Sequence, residues 1–253
     1  MAKVISIAQH KGGVGKTTSA ANIGAGLARK GIKTLLIDLD PQADLTTITG
    51  APIEDPNNMY KVLIGKAQIE PILIEENLYI VPSDLDLSGA EVELAGVFSR
   101  ETILKKKLKA VRKEFDVILI DCPPSLGLLT INAFTASDDI LIPLQSQFLA
   151  MHGIGKLISV VNLVKDNELN PDLNIAGVFI TMFDGRRTLD KDVASVIQEK
   201  FKSVVLDTKI RPGIALSEAG YARKNIYDYD GASNGAQDYQ NLTNEIIKKV
   251  IEG

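Results

Sequence analysis

Apolar positions in this chain fall into two periods. Short apolar runs without clean alternation occur at residues 4–8, 34–40, 78–81, 117–120, 140–144 and 175–181, with a weaker one at 204–206. Runs of that kind read as strands covered on both faces. Helical spacing fills many of the intervals between them. The interleaving predicts an α/β fold, a mainly parallel twisted sheet with helices on both faces. The first helix is predicted over 19–28 and stops at Arg29-Lys30-Gly31, a basic last turn followed by glycine. Tyr239, Leu242, Ile246, Ile247 and Val250 recur at helical spacing, which predicts a final helix packed on the sheet. Residues 51–76 carry Pro52, Pro56, Asn57, Asn58, Gly65 and Pro71. They read as an irregular excursion with one short helix near 59–64, not as a linker. No internal repeat or low-complexity tract is visible, and a single domain over 1–253 is expected.

Composition narrows the function classes. The chain has 253 residues, long enough for a sizeable core, with 45% hydrophobic and 24% charged content. The net charge of −4 means that any nucleic-acid binding must use a local patch. Cys122 is the single cysteine, so no internal disulfide forms. It also excludes a four-iron cluster shared by two chains, which needs four thiolates. No apolar run reaches membrane-spanning length, and the chain opens on a strand rather than a signal peptide. A cytoplasmic protein is expected.

The chemistry is concentrated in Lys11-Gly12-Gly13-Val14-Gly15-Lys16-Thr17-Thr18, between the first strand and the first helix. Glycines there let successive backbone N–H groups converge, and the positive end of the helix adds to them. A lysine and a hydroxyl in the next two places suit phosphate and Mg²⁺. The alternative is a tight turn without a ligand. Two strand ends supply acids. Asp38 and Asp40 close the second run, where Pro41 stops the strand, and Asp121 closes the run at 117–120. Alone, each is only a strand-end carboxylate. Beside the glycine loop, the second makes a metal-ligand pattern, with Asp121 aimed at the ion's water shell near Thr17.

The loop departs from the usual phosphate-binding pattern, since His10 stands where a glycine is common and Lys11 is added. In this it resembles the deviant loop of the ParA and MinD superfamily of dimerising P-loop ATPases. The resemblance extends to Asp40-Pro41-Gln42, to Asp121-Cys122-Pro123-Pro124, and to Ile180-Thr181-Met182-Phe183-Asp184-Gly185. Ala43-Asp44 stand where the family usually has Gly-Asn, and Cys122 replaces an alanine. Gln147 and His152 occupy a segment that normally carries two glutamates.

Several roles follow from the resemblance. Residues 11–18 would cradle ATP, with Lys16 on the β and γ phosphates. Lys11 would reach the triphosphate of a second subunit. Thr17 and Asp121, with Asp40 nearby, would serve Mg²⁺. Asp40 would position the attacking water, and Asp38 would support the metal's outer shell or the loop. Met182 and Pro212 would flank the adenine. Cys122 reads as a packing residue, and His10 and His152 as structural.

The resemblance implies a weak ATPase whose ATP-bound homodimer coats nonspecific double-stranded DNA on the nucleoid. A ParB-like partner would trigger hydrolysis and release. Arg186, Arg187, Lys191, Arg211, Arg223 and Lys224 are the candidate DNA contacts, although Ala215 stands where chromosomal members usually carry arginine. The run Lys105-Lys106-Lys107 with Lys109, Arg112 and Lys113 reads better as a solvated helix face. The alternatives are a MinD-like membrane-associated positioning ATPase and a low-turnover regulatory dimer. The tail has Lys248 and Lys249 but also Glu245 and Glu252, which favours a packed helix over a membrane anchor.

Overall fold

The computed structural model describes residues 1–147 and 150–252, with the side chains of 150–152 left out. His152 therefore lies outside the described side chains. Eight strands form one sheet in the order β3-β4-β2-β5-β1-β6-β7-β8. They are β1 (Lys3–Ile7), β2 (Thr34–Asp38), β3 (Ile72–Glu75), β4 (Leu78–Val81), β5 (Val117–Asp121), β6 (Asp139–Gln145), β7 (Asn174–Thr181) and β8 (Val205–Lys209). The helices are α1 (Lys16–Ala28), α2 (Asp44–Ile48), α3 (Met59–Leu63), α4 (Leu87–Glu93), α5 (Ile103–Leu108) and α6 (Leu128–Ala136). They continue as α7 (Ala150–Asp166), α8 (Thr188–Phe201), α9 (Ile214–Tyr221), α10 (Ile226–Asp230) and α11 (Asn234–Ile246).

The unbroken apolar runs are explained by two cores. Along β5, Ile118 and Ile120 face one cluster with Leu104, Leu129, Phe134 and Leu157, from α5, α6 and α7. Val117 and Leu119 face the other, with Ile23, Leu27, Tyr239 and Leu242 from α1 and α11. Each strand residue is buried whichever way it points, and each such side chain contributes about 1.5–3 kcal/mol. Helix α1 lies close to the sheet because Gly24 has no side chain. A Cβ there would sit 2.7 Å from Leu36 Cδ2.

Two expectations are corrected. The stretch 51–76 is not wholly irregular, because Ile72–Glu75 pairs antiparallel with β4 through Ile72↔Ile80. Asn77, at φ 63°, makes the tight hairpin turn between them. The edge strand leaves Leu73 60% exposed, so no buried run advertised it. The basic run is a solvated helix face only in part, since Lys106, Lys109 and Lys113 are exposed but the other three bond to the chain. Lys105 donates to the Leu169 carbonyl at 3.4 Å and Lys107 to that of Ala67 at 2.8 Å. Arg112 lies beyond α5, on the Ala2 carbonyl at 3.0 Å and Asp138 at 2.5 Å.

The final helix forms over Asn234–Ile246 and widens into a π turn over Ile247–Ile251. Ile246 and Val250 are buried. Strands β2, β5, β1 and β6 are neighbours, so the loops that leave their carboxyl ends share one crevice. The strand order reverses there, which is where open α/β sheets hold ligands.

Candidate active site

The loop after β1 is built to present backbone N–H groups. Gly13 and Gly15 have φ of 70° and 86°, the left-handed region that only glycine enters without strain. Gly15 caps α1, and no side chain satisfies the helix's first amides. A Cβ on Gly12 or Gly13 would meet no atom within 4 Å, so the inner side of the loop is open. Side chains from β6 and β7 hold the carbonyls. Gln145 Nε2 donates to the Gly13 carbonyl at 2.7 Å, and Thr181 Oγ1 to that of Val14 at 2.9 Å. With the carbonyls occupied, the N–H groups and the start of α1 form an anion nest. Lys16 lies buried at the helix start.

Register brings the acids to this nest. Asp121 pairs with Ile7 on one side and Asp38 on the other. Asp121 is 1% exposed, and among the described residues neither carboxylate oxygen has a hydrogen-bond partner. Burial raises its pKa well above the carboxylate range, and the neighbouring Asp38 raises it further. The Thr17 hydroxyl and the Lys16 ammonium offset this only in part. A buried acid without a partner is costly, and a divalent cation would relieve it. Together with the Thr17 hydroxyl, it is an all-oxygen donor set that fits Mg²⁺.

Asp38 has a different position. It accepts from the Thr46 backbone N–H at 2.8 Å and the Thr46 hydroxyl at 2.7 Å, and from the Asp40 N–H at 3.2 Å. Burial pushes its pKa up to about 7, with Thr46 pulling against the rise. Asp38 thus ties down the loop that carries Asp40. Asp40 is half-buried and accepts from the Gln42 N–H at 3.0 Å. His10 bridges the phosphate loop to the segment after Asp121, with Nδ1 2.9 Å from the Pro124 carbonyl oxygen. Cys122 is fully buried, and burial raises its thiol far above the ordinary range.

Lys11 lies across the loop on its own chain. Its Nζ donates to Gln147 Oε1 at 2.7 Å and Gln145 Oε1 at 3.3 Å. Met182 is 46% exposed at φ 53°. The Phe183 N–H donates to the Ile210 carbonyl at 3.0 Å, so the chain leading to Pro212 runs beside Met182.

The candidate DNA contacts differ in how they are held. Arg186 is bidentate on Asp184 at 2.9 Å, with Arg187 3.6 Å away. The Arg186 bonds hold the Asp184 carboxyl down at about 2. Both arginines stay largely exposed. Arg211 is taken up by Asp238, with bonds of 2.6 to 3.1 Å. Arg223 and Lys224 are exposed beyond α9. Residues that sequence reasoning missed are Gln145, Thr181 and Thr46. Thr181 ends a predicted strand and lies in the stretch 180–185 that carries the resemblance, and Gln145 directly follows a predicted strand.

Comparison with known proteins agrees with this architecture. A family model described as an AAA domain matches residues 2–175. The chain is 44% identical over 250 residues to the sporulation initiation inhibitor protein Soj of Bacillus subtilis, covering 97% of this chain and 98% of the relative. It is 42% identical over 252 residues to the chromosome-partitioning ATPase Soj of Treponema pallidum, with 98% of each covered. The crystal structure of cobyrinic acid a,c-diamide synthase from Mycobacterium smegmatis, with bound ATP analogue and magnesium, superposes with a TM-score of 0.86. It is 34% identical and covers 98% of this chain and 95% of that one.

Proposed function

The chain belongs to the Soj/ParA family of chromosome-partitioning ATPases, and from that premise we propose an ATP-driven DNA-partitioning switch. It is an ATPase that uses ATP and Mg²⁺. The observation that carries the site assignment is Asp121, a buried carboxylate without a partner beside an uncapped helix start.

In this reading the amides of residues 12–18 and Lys16 bind and orient the triphosphate. Thr17 and Asp121 hold Mg²⁺, with Asp40 near its water shell. The ion, when bound, offsets charge on the phosphate oxygens. Asp40 orients the water whose oxygen bonds to the γ-phosphorus as the bond to the β-γ bridging oxygen breaks. Lys11 crosses to the triphosphate of a second copy and joins two subunits. Met182 and Pro212 flank the base. The dimer then binds DNA without sequence preference through exposed arginines, and a ParB-like partner stimulates hydrolysis and release. The ATP-bound form is thereby nucleoid-associated in the cytoplasm.

The packing of the last helix favours this over a membrane-positioning role. Ile246 and Val250 at the tail are buried, and Lys249 is paired with Asp207 at 3.2 Å and Glu245 at 2.8 Å. No helix among the described residues is long and apolar enough to cross a membrane. Gel shift of unrelated duplexes, with and without ATP and Mg²⁺, tests the proposal. Retardation only with ATP is expected. Binding that ignores nucleotide, or flotation with liposomes instead, would overturn it.

A further inference from the structure

Lys11 is the residue on which dimer formation turns in the reading above, and this inference rests on that reading. In the isolated chain its ammonium is not loose. It donates to two side-chain amides at the end of β6, Gln147 Oε1 at 2.7 Å and Gln145 Oε1 at 3.3 Å. The backbone puts both acceptors within reach, because the Gln147 N–H folds back to the Gln145 carbonyl at 2.8 Å in a three-residue turn. Gln145 is fixed by its other end. Its Nε2 donates to the Gly13 carbonyl at 2.7 Å and contacts Met182 Sδ at 3.0 Å. The amide at 145 thus joins Lys11 to the phosphate loop, and only an amide can do both. A carboxylate there would oppose the Gly13 carbonyl oxygen.

We propose that Gln147, with Gln145, is a positioning residue that holds Lys11 within its own subunit and sets how readily it crosses to a second copy. Both acceptors are neutral. An ammonium on two amides keeps its direction but gains no ion pair, so the negative charge of a triphosphate outcompetes them. The flexible four-carbon stem lets the ammonium swing between the two sets of acceptors. Only subunits with Lys11 released are competent, so apparent dimer affinity falls by the fraction held. Dimerisation is tuned by a side chain that need not touch nucleotide.

The test is the dimer Kd measured by sedimentation with Mg²⁺ and AMPPNP, which removes turnover from the readout. Gln147→Ala is the discriminating variant. Loss of a supporting interface contact would weaken the dimer, whereas loss of a hold within one subunit tightens it. We expect Gln147→Ala to lower the Kd about threefold or more. Gln147 is exposed, so Gln147→Ala should melt within about 2 °C of the parent. A Gln147→Ala Kd equal to or above the parent's would overturn the inference. Lys11→Ala separates the two levels. If it dimerises like the parent, the crossing of Lys11 has failed as a reading. If it stays monomeric while Gln147→Ala does not tighten the dimer, only the hold has failed.

Discussion

The carboxylate of Asp38 and the side chain of Thr46 are joined at 2.7 Å, and that bond anchors the segment carrying Asp40 from beneath. Thr46 Oγ1 also accepts from the Ser83 N–H at 2.9 Å, so β2, α2 and the end of β4 share one buried relay. Thr46→Val keeps the shape and removes the hydroxyl. It leaves Ser83 N–H without its acceptor and Asp38 with one fewer donor. The expected loss is about 2 kcal/mol in urea denaturation. ATP turnover should fall more than nucleotide affinity, because Asp40 rides on the loosened segment. An unchanged urea midpoint would show that the relay is not needed.

Ala43 stands at φ 53° and caps α2, accepting from the Thr47 N–H at 2.9 Å. The left-handed region costs a residue with a Cβ about 1–2 kcal/mol, and glycine loses about 0.5–1 kcal/mol of unfolded-state freedom in exchange. Ala43→Gly should therefore stabilise by roughly 0.5 kcal/mol, read as a small rise in the urea midpoint. A drop in that midpoint would mean that the strain is absent.

Much of this was legible in the sequence, and the limits have physical causes. The strands buried on both faces were visible because a run such as 117–120 has no polar alternation to confuse it. The phosphate loop was visible because its chemistry needs glycines, a lysine and a hydroxyl at fixed spacing. Thr46 was not, since nothing in a lone threonine eight residues past Asp38 shows that the chain returns to it. Strand β3 was hidden by its exposed edge. The pairing of Arg211 with Asp238 joins residues 27 apart and is a product of tertiary packing. Lys11 was legible as a candidate phosphate ligand, but its rest position on Gln145 and Gln147 spans more than 130 residues.

Cys122 is fully buried with a raised thiol pKa, so it should resist maleimide in the folded protein and react only on global unfolding. Mass spectrometry of labelling against urea concentration reads this directly. Cys122→Ala should cost about 1 kcal/mol and leave turnover intact. Fast labelling without denaturant would place the thiol at an opening segment instead.

Three substitutions separate the steps of the cycle. Lys16→Ala should abolish nucleotide binding, because the charge at the start of α1 has no substitute. Lys11→Ala should leave monomer binding largely intact and remove dimerisation. Asp40→Ala should accumulate as an ATP-bound dimer, since hydrolysis fails while binding survives. Sizing chromatography with saturating ATP distinguishes all three. A monomeric Asp40→Ala would show that its carboxylate assembles the dimer rather than orienting water.

The exposed arginines make opposite predictions for DNA affinity and for stability. Arg186 and Arg187 share one carboxylate, Asp184, and their side chains are 92% and 73% exposed. Each has donors to spare for a phosphate oxygen. Replacing either by alanine should reduce the slope of log affinity against log salt by about 1, with little effect on melting. Arg211 differs, because its guanidinium is bidentate on Asp238, which is only 7% exposed. Arg211→Ala strands that carboxylate on a single backbone donor, the residue 211 N–H at 2.9 Å. Half the guanidinium faces solvent, so the loss should be about 1–2 kcal/mol rather than the larger value of a fully buried pair. Its salt slope should match the parent's. A slope reduced by Arg211→Ala but not by the other two would move the DNA contact to the loop beside Pro212, where Asp238 would have to release its partner before a phosphate could take it.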